Sequence, residues 1–182
     1  AAGKSLSGAT LAYLMRSEVD LALVYSPPTD ARLKALPLLR ERMVCVGAAD
    51  LIGPPGVPIT VEEMMTLPII MLQQGVSSGA ILDEVALLKR IESGAVLKMN
   101  SVQAISGSLR ERLGCTIGTK LSVSEAVADG ILSYRPIIEP SLSRTLHLCE
   151  LADRPQTYVL EIVRRMVIEL VTSAVTEGRW EA

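Results

Sequence analysis

The sequence predicts an α/β fold in two lobes, and three observations carry that prediction. Short apolar runs alternate with helical segments along most of the chain, the order expected of mainly parallel sheets with helices packed on them. Several runs end abruptly in small polar or turn residues. Two proline-rich stretches, 53–58 (GPPGVP) and the segment holding Pro136 and Pro140, suit crossings between lobes. On this reading lobe I comprises residues 1–61 and 144–182, and lobe II residues 62–143.

The elements follow in order. Ser7 can cap a helix whose Leu11, Leu14 and Met15 fall at helical spacing. The run Leu21 to Tyr25 then reads as a strand buried on both faces, opened by a lone carboxylate, Asp20, and stopped by Ser26 and two prolines. Two short strands, 36–39 and 43–48, are expected on either side of the charged trio Arg40, Glu41 and Arg42. Thr60 with Glu63 three residues later is a capping-box pattern, placing a short helix before the strand 68–72. A polar loop QQGVSSG, a helix over 80–92, the strand VLKMN, a helix over 101–113, the strand CTIG and a helix over 122–128 closed by Gly130 continue the alternation. The strand RTLHLCEL precedes a long amphipathic helix over 156–176. Its stripe of Val159, Ile162, Val163, Met166, Val167, Leu170 and Val171 reads as core packing.

Composition excludes several functions. The chain has 182 residues, a formal net charge of -2, four tyrosines, one tryptophan and no phenylalanine, so it has neither the basic footprint nor the stacking surface of a nucleic-acid binder. No apolar run is long enough to cross a membrane, and no secretory leader is recognisable at the start, which points to the cytoplasm. Cys45, Cys115 and Cys149 each sit in apolar runs without CxxC spacing, as buried reduced thiols do; no metal site or cofactor is expected. His147, the only histidine, alternates with two leucines and faces away from them. No GxSxG, HExxH, P-loop or GxGxxG occurs, and the pairs Glu62–Glu63 and Asp83–Glu84 belong to helix first turns, where the helix dipole accounts for them. Hydrolysis, redox chemistry and phosphoryl transfer lack reactive groups.

What recurs is a small polar residue just beyond an apolar strand: Ser26, the loop 73–78, Asn100 with Ser101, and Gly118 with Thr119. Each can offer hydroxyls or N–H groups to a ligand, and several open a helix. For any one of them an ordinary cap is an equal explanation; four in one alternating pattern favour a shared cleft.

The ordered series SLSGATLAYLMRSEVDLALVY, PLLRERMVCVGA, PITVEEMMTLPIIML, SVQAISGSLRERLGCTIGT and VADGILSYRPIIEPSLSRTLHLC, with the closing EGRW, resembles the C-terminal effector-binding (substrate-binding) domain of LysR-type transcriptional regulators. The SRTLHL and EGRW segments lean towards the nitrogen-assimilation-control-like subgroup. The resemblance implies a type 2 periplasmic-binding-protein-like fold, with a small polar or anionic metabolite held in a hinge-side cleft between two lobes. It implies a cleft lined by Ser7, Tyr25, Ser26, Gln74, Gly75, Val76, Ser77, Ser101 and Gly118, with no catalytic residue. It also implies a homodimer or tetramer. DNA would be bound only through a winged helix-turn-helix that this chain lacks, together with the domain's first strand and helix. Ser17 departs from the family pattern, standing where Gly is usual, and Thr119 replaces a frequent proline. A transport solute-binding protein is the alternative with the same lobes, disfavoured by three unpaired cysteines; an enzyme ranks third.

Overall fold

The computed structural model describes residues 6–72 and 85–180. In chain order the elements are α1 Leu6–Met15, β1 Ala22–Tyr25, β2 Leu33–Arg42, β3 Val44–Gly47, α2 Ala49–Ile52, β4 Ile59–Thr60, α3 Val61–Met64 and β5 Ile70–Leu72, then α4 Val85–Gly94, β6 Leu97–Met99, α5 Val102–Arg110, β7 Thr116–Gly118, α6 Lys120–Ala128, β8 Ser133–Ile138, β9 Ser143–Leu151 and α7 Tyr158–Thr176. The described residues fall into two compact units, one holding 6–41 and 144–180, the other 42–72 and 85–143.

In the first unit, α1 ends where Ser17 turns left-handed at φ 60, its N–H bonded to Leu14 O at 2.9 Å. That backbone favours glycine. Asp20 is not a buried charge: it is ion-paired to Arg154 just ahead of β1 and stays half-exposed. The strand β1 lies at the edge of a three-stranded sheet ordered β1-β9-β2, antiparallel to β9 with Ala22 opposite Cys149 and Tyr25 opposite Leu146. The expected strand covered on both faces, in a parallel sheet, is therefore corrected. Ala22 and Val24 are buried, but Leu23 between them is 42% exposed, the alternation of an antiparallel strand that packs one face on the core and turns the other to solvent. Leu14, Ala22, Val24 and Cys149 form one small core, and Leu39, Leu146 and Val171 another.

Two further expectations change in this unit. Residues 36–39 are not a separate short strand: β2 runs unbroken through the charged trio, and its alternation exposes Arg40 and Arg42 while burying Glu41. The apolar stripe of α7 is not all core. Leu160 and Val171 are buried, whereas Val159, Val163, Met166 and Leu170 are exposed, so the helix is apolar on more than the face it buries.

The second unit contains a four-stranded sheet ordered β4-β8-β3-β7 and the parallel pair β5-β6. The strand β3 is antiparallel to both β7 and β8, and only β4 runs parallel to β8. Mainly parallel sheets were expected; the reason for the difference is connectivity, since the chain enters this unit through β3 and leaves it through β8 in opposite senses. Val44, Val46, Ile70, Ile105, Leu109 and Leu132 make its core. Cys45, Cys115 and Cys149 are free thiols and buried.

The Pro-rich loop at 53–58 is not a crossing. Arg135 of β8, 6% exposed, binds it to the sheet: Nη1 donates to Ile52 O at 2.6 Å, Nε to Val57 O at 2.8 Å and Nη2 to Pro58 O at 2.7 Å. The chain instead passes between units at Glu41–Arg42 and returns at Ser143–Arg144, so residues 42–61 belong with the second unit and not with lobe I. Glu63 completes the cluster, accepting from Arg135 Nη1 at 2.7 Å. Thr60 caps α3 through Glu63 N at 3.0 Å, while the carboxylate that would have closed the capping box goes to Arg135.

Candidate functional site

In the second unit, three strands deliver their C-terminal ends to one edge. The strands β5 and β6 are parallel in the register Leu72 opposite Met99. A parallel bridge from Ile69 to Cys115, with Ile70 N donating to Cys115 O at 2.7 Å, brings β7 into line with them. Ser101 therefore follows β6 at the same edge where Gly118 and Thr119 end β7, the placement in which α/β proteins present ligand loops. Ser101 is the N-cap of α5: its hydroxyl accepts from Ala104 N at 3.3 Å and donates to Gln103 Oε1 at 3.1 Å. Thr119 caps α6 in a full capping box with Ser122. Both helices thus present first-turn N–H groups at this edge, and the Lys120 ammonium in the first turn of α6 sits 5.3 Å from the Tyr134 ring centroid. A side chain at Gly118 would press on Val46 at 3.3 Å, so the residue also serves close packing of β7 on β3.

In the first unit, Tyr25 and Ser26 close β1. Ser26 is held at φ 42 with its N–H donating to Thr145 O at 2.8 Å, a conformation its surroundings must impose. The Tyr25 ring lies under the Arg144 guanidinium at 3.7 Å. Burial pushes its phenol up to about 12, with Arg144 opposing that rise and Glu41 adding to it. Glu41 itself is 2% exposed and accepts from Arg144 Nε at 2.6 Å and from Trp180 Nε1 at 2.5 Å.

The expected site residues thus divide. Tyr25 and Ser26 come together in one unit, Ser101 and Gly118 in the other. Ser7 lies in α1, but its side chain is outside the described residues, as are Gln74, Gly75, Val76 and Ser77. Sequence reasoning missed Glu41, Arg144 and Arg135 as organising charges. One signal was legible: in LLRERM the period-2 alternation puts Glu41 on the face opposite Arg40 and Arg42, hence inward. His147 carries no reactive pairing; Nδ1 lies 3.0 Å from Thr145 O. Among the described residues no three His, Cys, Asp or Glu side chains converge as metal ligands, and no helix is long and apolar enough to cross a membrane.

Comparison with known proteins bears directly on this arrangement. A family model described as the LysR substrate binding domain matches residues 5–171. The HTH-type transcriptional regulator BbuR of Bordetella bronchiseptica is 23% identical over 182 residues, covering 97% of this chain and 54% of its own, so the chain spans about half the length of that relative. Among solved structures, the effector-binding domain of QuiR in complex with shikimate superposes with a TM-score of 0.70 at 16% identity, over 94% of this chain and 79% of that one. The Synechocystis PCC6803 CcmR regulatory domain with 2-PG gives 0.70 at 19% identity, over 91% and 79%. A Corynebacterium glutamicum OxyR C206 mutant gives 0.71 at 17% identity, over 98% and 57%. The mixed α/β architecture is therefore that of these effector-binding domains, the type 2 periplasmic-binding-protein-like fold.

Proposed function

We propose that this chain, which belongs to the LysR substrate-binding domain family, senses a small polar or anionic metabolite for a cytoplasmic transcriptional regulator and binds it without transforming it. The match over residues 5–171 carries the proposal. Two proteins of the same fold are known with small ligands, shikimate in one case and 2-PG in the other. The first-turn N–H groups of α5 and α6, at the edge where Ser101 and Thr119 cap those helices, are donors suited to a polar or anionic group. No general base stands among the expected site residues. The matches named above are regulators, which leaves the transport reading without support.

The site comprises Tyr25 and Ser26 from one lobe and the loop Gln74–Ser77, Ser101 and Gly118 from the other, with Ser7 at a helix start. Lobe closure on the ligand is the signal, passed to a DNA-binding domain elsewhere in the full protein, which acts as a homodimer or tetramer. Within the family, the SRTLHL and EGRW segments lean towards the nitrogen-assimilation-control-like subgroup.

The test is a thermal-shift screen of organic acids, phosphate esters, amino acids and nucleobases, followed by calorimetry. A ligand at a hundred times its Kd stabilises the folded chain by about 2.7 kcal/mol. A chain that no member of a broad metabolite panel stabilises would count against the proposal.

A further inference from the structure

Glu41 is a buried carboxylate met by donors from three other segments of the same unit. Arg144 Nε at the start of β9 reaches Oε2 at 2.6 Å, Trp180 Nε1 beyond α7 reaches Oε1 at 2.5 Å, and the Tyr25 hydroxyl at the end of β1 is hydrogen-bonded to the same carboxylate. Arg144 also lies over the Tyr25 ring at 3.7 Å. A carboxylate with 2% exposure cannot exchange a lost donor for bulk water, so withdrawing one member obliges the others to readjust. The four side chains form one mechanical and electrostatic unit.

Their positions in the chain give that network its meaning. Tyr25 adjoins Ser26, and both belong to the ligand site proposed above. Glu41 is the last residue before the chain leaves this unit and Arg144 the first after it returns. Trp180 follows α7, whose Val159, Val163, Met166 and Leu170 are exposed. Occupancy at the end of β1, both crossing strands and the end of the last helix are thus linked through a single carboxylate.

We propose that Glu41 is a positioning residue that transmits ligand occupancy at Tyr25 to the crossing strands and to the Trp180 end of α7. The proposal rests on the effector-binding reading and adds the route by which that site is read out. A ligand that engages the Tyr25 hydroxyl or the guanidinium above its ring takes a donor away from Glu41. The carboxylate then draws more heavily on Trp180 and on the remaining arm of Arg144. The crossing strands and α7 respond because each carries one of those partners.

Trp180 is the only tryptophan of this chain, so its emission reports on this network alone. The first arm needs no ligand. Tyr25→Phe deletes one hydroxyl and keeps the ring under Arg144, and a shift of the Trp180 emission maximum with altered acrylamide quenching is expected. Arg144→Lys, which keeps the charge and loses the stacked fork, repeats the test from the other side and should also move Trp180. Circular dichroism establishes that each variant is folded. If both folded variants leave emission and quenching as in the unsubstituted chain, the network does not transmit and the proposal is overturned.

The second arm titrates shikimate and 2-PG by calorimetry and by Trp180 emission in parallel. Binding heat with an emission change in the unsubstituted chain, and heat without that change in Glu41→Gln, is the expected pattern. Heat accompanied by an unchanged Trp180 signal in the unsubstituted chain refutes transmission while leaving the effector-binding reading standing. Absence of heat from either probe counts against that reading for these ligands, and the first arm alone then decides the network.

Discussion

Replacing Arg135 by methionine should be among the most damaging single substitutions in the described fold. Methionine matches the aliphatic stem but removes every donor. The guanidinium holds three backbone carbonyls, Ile52 O at 2.6 Å, Pro58 O at 2.7 Å and Val57 O at 2.8 Å, besides Glu63. The ion pair is the smaller part of its worth, because the Glu63 side chain is 50% exposed and water screens and replaces it. The carbonyl bonds are charge-assisted, each contributing about 1.5 to 3 kcal/mol. Val57 and Pro58 are exposed, so their carbonyls can be rehydrated once the loop loosens, whereas Ile52 is buried and its carbonyl cannot. A loss of about 3 to 5 kcal/mol follows, comparable to breaking a buried pair by deleting one partner. Urea unfolding of Arg135→Met against the unsubstituted chain measures it, and Glu63→Gln should cost under about 1 kcal/mol in the same assay. Arg135→Lys should recover only part of the loss, since one ammonium cannot span three carbonyls spread over the loop. Gly53 adds an internal check: at φ 94 a Cβ is strained and would also meet Arg135 Nη1 at 3.0 Å, so Gly53→Ala should cost less beside Arg135→Met than alone. A change below about 1 kcal/mol for Arg135→Met, with the fold retained, would refute the view that this side chain fixes the loop.

Three other outcomes are expected. Ser101→Ala should cost about 0.5 to 2 kcal/mol of stability through the lost α5 cap, while Ser101→Asp keeps the cap; a ligand affinity that falls for both variants despite the retained cap would separate a binding role from a capping one. Ser17→Gly should stabilise by up to about 1 kcal/mol in thermal or urea unfolding, because φ 60 ceases to be strained, although a freer unfolded chain offsets part of the gain. Burial raises the Cys149 thiol from 9.0 to about 11 and the Tyr25 phenol from 10.0 to about 12, so both favour their protonated forms in the folded state. Their contribution is complete below about pH 9 and is lost as pH rises through about 12. Stability measured across that window should fall, and Tyr25→Phe should remove the upper part of the fall.

By itself the sequence determined the local elements and the fold class. Caps such as Thr60, Ser101 and Thr119 act through bonds to residues two or three positions away, and the alternation of β9 around His147 is a property of a single strand; such signals need no knowledge of what lies across the fold. The absence of reactive motifs was equally local. Tertiary structure decided whatever depends on partners distant in the chain. The chain does not announce that β1 is an edge strand antiparallel to β9, so Leu23 read as buried although it is exposed. The Pro-rich loop read as a crossing because prolines exclude regular structure wherever they occur. Only Arg135, 83 residues from Ile52, shows that the loop is bound within one unit. Glu41 could be assigned an inward side from alternation alone. Its meeting with Arg144 and with Trp180, 139 residues away, is set by sheet order and by the return of the last helix, because a buried charge is tolerated only where the whole fold supplies its donors.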